Sequence, residues 1–250
     1  MTRCSPEIPN ILLVYRNPKF ASIAALTLPW LLSLTSCTCG VSGPPPEPPK
    51  GASVYQMVTG EDIEQDRSRW DSLFDKTQGY VFGKEPAAIL KETIDILPVG
   101  RALDIAMGEG RNAVYLAKKG FVVDGVDLSE VAIRKAKRLA KENEVTISTQ
   151  QADLNTYVIP PDTYEVIINI DFLLRSLIPQ MKRGLKRGGV IVFENMTIEQ
   201  LKNPQGEGVR QDYLLKMGEL KELFKEFQIV HYAETNDGKV AKASLIAVKP

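Results

Sequence analysis

From about residue 60 onward the chain alternates short apolar runs with stretches of helical periodicity, and this alternation limits the fold to a sheet layered with helices. Helical spacing is expected over 61–74 and over 85–97, the second opened by Glu85-Pro86 with proline at a tolerated first-turn position. Arg101–Ile105 reads as a short buried strand, 112–119 as a helix stopping at Gly120, and 121–126 as the next strand. Ser129 caps a helix to about Asn143, and 145–151 and 164–170 are strand-like. A helix over 173–185, interrupted at Pro179, is expected to end at Gly188-Gly189 before a strand over 190–194. A helix over 218–224 precedes strands over 227–233 and 243–248, joined around Asn236-Asp237-Gly238, a hairpin signal. The expected fold is therefore α/β: a Rossmann-like, mostly parallel sheet with helices on both faces and a C-terminal antiparallel hairpin.

Composition removes several chemistries. The 31 basic and 31 acidic residues balance, so the chain lacks the positive field that a nucleic-acid partner needs, and a small-molecule substrate is expected instead. The one histidine, His231, has no nucleophile-elbow sequence to partner it, and it reads as structural beside Tyr232. The three cysteines, Cys4, Cys37 and Cys39, all precede the globular part, so no Cys/His zinc site and no other metal site is expected within it. No phosphate loop of the G-x-x-x-x-G-K-[ST] type is present. What remains is chemistry without a protein nucleophile or a metal.

Residues 1–43 differ in character. Arg3, Arg16 and Lys19 precede an apolar run over 20–34, then small residues and Cys37, a secretory-signal pattern in which Leu34-Thr35-Ser36-Cys37 is also similar to a bacterial lipobox. The run is short for a spanning helix, which needs about 20 residues. Residues 44–60, with Pro44-Pro45-Pro46-Glu47-Pro48-Pro49, read as a stiff linker, and 61–250 as the working domain. Two readings stand side by side. In one, the domain is cytoplasmic, with Met57 as an alternative start or the leader as a membrane tether; in the other, it is an exported lipoprotein anchored at Cys37.

The candidate site is the turn Asp104-Ile105-Ala106-Met107-Gly108-Glu109-Gly110, between a strand and a helix. Small residues at Ala106, Gly108 and Gly110 let the backbone turn tightly against a ligand, at the strand ends where open parallel sheets bind ligands. Gly108 to Ala113 also fits the dinucleotide pattern G-x-G-x-x-G/A, and Asp127 at the next strand end suits ribose hydroxyls in either case. Three features favour S-adenosylmethionine (SAM). Asp104 precedes the glycines, where it would repel a pyrophosphate but suits a cationic amino group and sulfonium. Asp153, after the third strand, can accept from an exocyclic amine. Only about 140 residues follow the turn, too few for a typical second substrate domain. Taken singly, Asp127 also fits a helix-start acid and Asp153 a turn residue.

On these residues the run 103–112 resembles motif I of the class I SAM-dependent methyltransferases, and its Gly-Arg-Asn ending is similar to their tellurite-resistance branch. Gly83-Lys84-Glu85-Pro86, Arg175-Ser176-Leu177, Leu185-Lys186-Arg187-Gly188-Gly189 and the run 213–220 extend the resemblance over roughly 65–250. The resemblance implies that Asp104, Ala106, Gly108 and Gly110 line the methionine part of SAM, that Asp127 holds the ribose with Leu128 beside the adenine, and that Asp153 and Leu154 hold the adenine edge. It also implies that Asn169 faces the cofactor. Three positions depart from the family pattern: Ala106 for the first glycine, Arg187 for a proline, and Ile170-Asp171-Phe172 for an aromatic pair near the substrate.

Methyl transfer from a sulfonium needs positioning and water exclusion more than acid–base help, which suits a soft acceptor such as a thiol or a chalcogen oxyanion, tellurite or selenite. Arg175, with a planar guanidinium, is the first substrate-side candidate, and Tyr80 and Asp171 are further ones. The basic run Arg134, Lys135, Lys137, Arg138, Lys141 reads as a solvated helix face. A SAM-binding protein without catalysis and an NAD(P)-dependent oxidoreductase are the alternatives.

Overall fold

The computed structural model describes residues 63–250. The signal-like segment 1–43 with Cys4, Cys37 and Cys39, the proline-rich linker 44–60 and Met57 lie outside the described residues.

Seven strands form one sheet: β1 (Arg101–Ile105), β2 (Val122–Asp127), β3 (Ser148–Gln151), β4 (Tyr164–Ile170), β5 (Leu185–Met196), β6 (Gln228–Asn236) and β7 (Ala241–Val248). Their order is β3-β2-β1-β4-β5-β7-β6. The first five are mutually parallel, and β7 runs antiparallel to both β5 and β6. An antiparallel β7 inserted before β6 departs from the all-parallel dinucleotide order, which counts against the oxidoreductase alternative. The expected mostly parallel sheet with an antiparallel C-terminal hairpin is the observed one.

The helices are α1 (Ile63–Lys76), α2 (Ala88–Thr93), α3 (Arg111–Lys118), α4 (Glu130–Glu142), α5 (Ile178–Gly184) and α6 (Glu219–Leu223). Strand parity sorts the core into two layers. Leu103, Ile105, Ile167, Ile191 and Phe193 pack with Phe224 on one face, and Ala102, Val166, Ile168 and Val192 with Leu90 and Leu116 on the other. Burial on both faces explains why β4 reads as an unbroken apolar run rather than an alternating one.

Among the expected boundaries that move, three show a local cause. Pro179 does not break a helix; it sits in the first turn of α5, where its missing N–H has no intrahelical partner to lose, after a 3-10 turn at Arg175–Leu177. Gly188-Gly189 does not end that helix but lies inside β5, which pairs at Leu185, bulges, and resumes pairing at Val190, with Gly188 at φ 76 making the detour. The helix expected over 85–97 is shorter, Ala88–Thr93 followed by a 3-10 turn at Ile94–Ile96. Its start is held by Asn112 Oδ1, which accepts from the Ala87 amide at 2.9 Å. No helix among the described residues is long and apolar enough to cross a membrane.

Candidate functional site

Strand order reverses between β1 and β4, because the chain passes through β2 and β3 on one side before returning to the other. At the C-terminal ends of these strands lies a cavity of about 530 Å³, walled by the glycine turn, α1, the loop after β4 and the segment 210–213. That volume falls within the range of small-molecule sites.

The turn is built at its alternate residues. Ala106, Gly108 and Gly110 all adopt left-handed backbone, with φ 52, 55 and 82. At Gly110 a Cβ would fall 2.7 Å from the Ala136 Cβ, so glycine there lets α3 and α4 pack closely. Ala106 fills a glycine position in a conformation that costs an L residue about 1–2 kcal/mol.

Asp127 closes the turn from the end of β2. Its Oδ2 accepts from the Gly108 amide at 2.7 Å and its Oδ1 from the Ser129 amide at 2.8 Å. Burial pushes its carboxyl up to about 6 against these amides. Ser129 in turn caps α4, accepting from the Ala132 amide at 3.0 Å. A carboxylate has about four acceptor sites, so Asp127 retains capacity for ligand hydroxyls beside its two amides. Leu128, Asp153 and Leu154 share its wall. Asp153 Oδ1 accepts from the amide and the side chain of Asn155, at 2.8 and 2.7 Å, and its Oδ2 has no partner among the described residues.

Asp104 and Asn169 stand differently from the other candidates. Both are buried, and neither Asp104 Oδ2 nor Asn169 Oδ1 has a hydrogen-bond partner among the described residues. The β1–β4 register pairs Asp104 with Ile168 and Ile105 with Asn169, so the two side chains lie on opposite faces of the sheet. Neither contributes to the cavity wall, and nor does Gly110. Burial pushes Asp104 up to about 8, opposed by the Arg111 guanidinium and the Ala113 amide. Asn169 Nδ2 donates to the Phe172 carbonyl at 2.6 Å and so shapes the loop after β4.

The substrate-side candidates separate. Asp171 lines the cavity, in left-handed backbone at φ 58, paired with Arg111 Nη2 at 3.0 Å. Burial raises its carboxyl and Arg111 opposes the rise. Arg175 reaches the wall, but its guanidinium is engaged by Glu219 (2.6 and 2.9 Å) and by the carbonyls of Asp212 (2.7 Å) and Leu214 (2.9 Å), so it anchors the segment 212–219. Tyr80 is not in the wall; its ring packs against α4, beneath Arg138 and Lys84. His231 Nε2 lies 3.2 Å from Ser244 Oγ on the hairpin.

Two contributors escape the sequence reading. Arg111 lines the cavity and joins the glycine turn to the loop after β4. Lys135, expected on a solvated face, is largely buried: its Nζ bonds Glu109 at 2.9 Å and the carbonyls of Phe74, Thr77 and Gly79. Glu109 Oε2 also accepts from the Val81 amide at 2.6 Å, so this pair clamps the end of α1 and the segment after it onto the turn. Trp70 and Phe74, stacked at 5.7 Å, then cover the cavity from α1. The signal for Lys135 was its spacing: one α4 turn from the buried Leu139 and next to the buried Ala136, it sits at the edge of the apolar stripe.

The sheet order, the glycine turn and the acid at the end of β2 define the class I SAM-dependent methyltransferase fold. Solved structures agree. TehB from Haemophilus influenzae superposes with a TM-score of 0.59 at 22% identity, covering 72% of this chain and 67% of that one. Magnesium protoporphyrin IX methyltransferase from Synechocystis PCC 6803 superposes with 0.52 at 17%, covering 77% and 86%. Residues 77–244 match the family model of the tellurite resistance protein TehB, and the chain belongs to that family. Among curated relatives, a probable S-adenosyl-L-methionine-dependent methyltransferase TehB of Haemophilus influenzae is 27% identical over 150 residues, 57% of this chain and 50% of the relative. A ribosomal protein L11 methyltransferase of Desulfitobacterium hafniense is 34% identical over 128 residues, 48% of this chain and 40% of the relative. The chain thus spans half or less of the length of these curated relatives.

Proposed function

We propose that the chain binds SAM in the cavity over the glycine turn and transfers its methyl group to a small acceptor with a soft nucleophilic atom, a thiol or a chalcogen oxyanion. The observation that carries this reading is Asp127, placed in the cavity wall with its carboxylate already aligned by the Gly108 and Ser129 amides. The residues present fit the cofactor: Asp127 has acceptor capacity for ribose hydroxyls, Leu128 and Leu154 offer apolar faces for a flat base, and the Oδ2 of Asp153 suits its amine. The turn beneath them is shaped by Asp104, whose buried carboxyl lies outside the cavity wall.

When bound, SAM supplies an activated methyl group on a good leaving group. The protein's part is positioning. The glycine turn and Asp127 fix one end, the segment 171–176 and Tyr213 bound the acceptor end, and Trp70 with Phe74 keep water away. Asp104, Ala106, Gly108, Gly110, Asp127, Leu128, Asp153, Leu154 and Asn169 are the proposed cofactor residues, of which Asp104, Gly110 and Asn169 act by shaping the turn and the β4 loop rather than from the wall. Asp171 remains a substrate-side residue, while Tyr80 and Arg175 act by holding structure.

We further read 61–250 as the catalytic domain, working on the cytoplasmic side where SAM is made, with 1–43 as a leader or tether and 44–60 as a linker. Mass spectrometry of the native N-terminus after cell fractionation tests this. A lipidated Cys37 on an exported protein would contradict it.

Thermal unfolding of the full chain tests the ligand. SAM at about 100 times its dissociation constant is expected to stabilise the protein by about 2.7 kcal/mol, and NAD at equal concentration to leave it unchanged. The reverse pattern would overturn the reading.

A further inference from the structure

Asp71 lies outside the cavity wall, yet it bonds the residue that orients Asp127. Ser129, two residues after Asp127, is fully buried, so its hydroxyl proton must find an acceptor inside the protein. Asp71 Oδ1, on α1, is that acceptor, and it also accepts from the Val131 amide at 3.3 Å. With its proton committed to Asp71, the Ser129 hydroxyl turns a lone pair to the Ala132 amide at 3.0 Å and so caps α4. The cap fixes the first turn of α4 and with it the Ser129 amide, which donates to Asp127 Oδ1 at 2.8 Å. A relay of three side chains thus runs from α1 to Asp127. Burial is the main cause that raises the Asp127 carboxyl, and the Asp71 charge adds to it. What Asp71 contributes to Asp127 is therefore the bond to Ser129 and not its charge.

The helix that supplies Asp71 also covers the cavity. Ile63, Asp66, Trp70 and Phe74, spaced by three or four residues, line it from one face of α1. No α1 side chain belongs to either layer of the sheet's core, so its seating draws on its bonds to α4, through Asp71 and, at its C-terminal end, through Lys135.

The geometry points to Asp71 as a positioning residue of the cofactor site: through Ser129 it holds Asp127 in line for a ribose, and it makes that alignment depend on α1 being seated over the cavity. This rests on the reading of the cavity as a SAM site. When α1 lifts, Ser129 loses the acceptor for its proton, the first turn of α4 loosens, and Asp127 loses one of its two amide contacts. By linkage, SAM held by Asp127 favours the seated helix in return. Covering the cavity and gripping the cofactor are then one event rather than two.

The test is calorimetric titration of SAM into the full chain and its variants, with thermal unfolding to confirm that each is folded at the temperature used. Asp71→Ala is expected to weaken SAM about three- to tenfold, and Asp71→Asn, which keeps an oxygen for Ser129, to restore the affinity to within about twofold of the unaltered protein. In the Asp127→Ala background, Asp71→Ala is expected to change the affinity by less than about twofold, because its effect passes through Asp127. Should Asp71→Ala not fold, Ser129→Ala breaks the same relay, and the same loss and the same lack of additivity are expected of it. An unaltered affinity in the folded Asp71→Ala protein, a loss in Asp71→Asn as large as that in Asp71→Ala, or a loss that adds in full to that of Asp127→Ala overturns the relay and leaves the SAM site standing. Absence of SAM binding by the unaltered protein overturns the SAM reading and the relay with it.

Discussion

Ala106 and Gly110 both adopt left-handed backbone, yet substitution at the two is expected to act in opposite directions. Ala106→Gly relieves a conformational cost of about 1 kcal/mol and adds unfolded-state entropy of somewhat less, so a net gain of about 0.5 kcal/mol is expected. Gly110→Ala brings a Cβ to 2.7 Å from that of Ala136, and a loss above about 2 kcal/mol is expected. Urea unfolding of both variants reads the two signs, and a destabilised Ala106→Gly would contradict the strain account. Titration is a second residue-scale consequence. Asp104 is pushed up to about 8 and Asp127 to about 6, so the folded protein holds protons that the unfolded chain releases near pH 4. The stability this represents is fully present below about pH 4 and is lost as pH rises toward 8. Melting temperature across pH 5–8 should fall more steeply in the ligand-free protein than in Asp104→Asn, and equal slopes would refute the assignment. These positions were legible in the sequence as a turn with acids at strand ends. Their faces were not: the opposition of Asp104 and Asn169 depends on the β1–β4 register, which no single segment encodes.

At the scale of elements, α4 shows how a charge pattern misleads. Five basic residues suggested a uniformly wet face, but Lys135 enters the interior through its pair with Glu109, while Arg134 stays exposed beside Glu130. Lys135→Met is expected to cost about 3 kcal/mol, since it leaves Glu109 buried without its cation. Arg134→Ala should change stability by less than about 0.5 kcal/mol. Paired denaturant curves check the contrast, and similar losses in both would show that the clamp on α1 is unimportant. The regular elements followed from periodicity, because β1 and β4 keep the bounds expected for them and Ser129 caps α4 as its residue type requires. Pro179 and Gly188-Gly189 were misread because their local preferences fit more than one context. A proline suits a helix start as well as a break, and a glycine pair suits a bulge as well as a helix end.

For the whole molecule, the order β3-β2-β1-β4-β5-β7-β6 does what the glycine turn alone could not, by separating this fold from the dinucleotide sheets whose turn pattern it shares. The hairpin signal at Asn236-Asp237-Gly238 made that distinction readable in advance, and Gly238 adopts the left-handed φ of 83 that such a turn uses. The end of the cavity proposed for the acceptor was the least legible part. It is assembled from α1, the β4 loop and the segment 210–213, which are remote in sequence, and Arg175 proved to be a brace for that assembly. The central claim is that this cavity holds SAM through Asp127. Calorimetric titration of SAM into the full chain and into Asp127→Ala tests it most directly. Saturable binding weakened roughly 10- to 100-fold by the substitution is the result predicted, from the loss of charged hydrogen bonds of about 1.5–3 kcal/mol. No heat of binding at millimolar SAM, or an affinity untouched by Asp127→Ala, would contradict it.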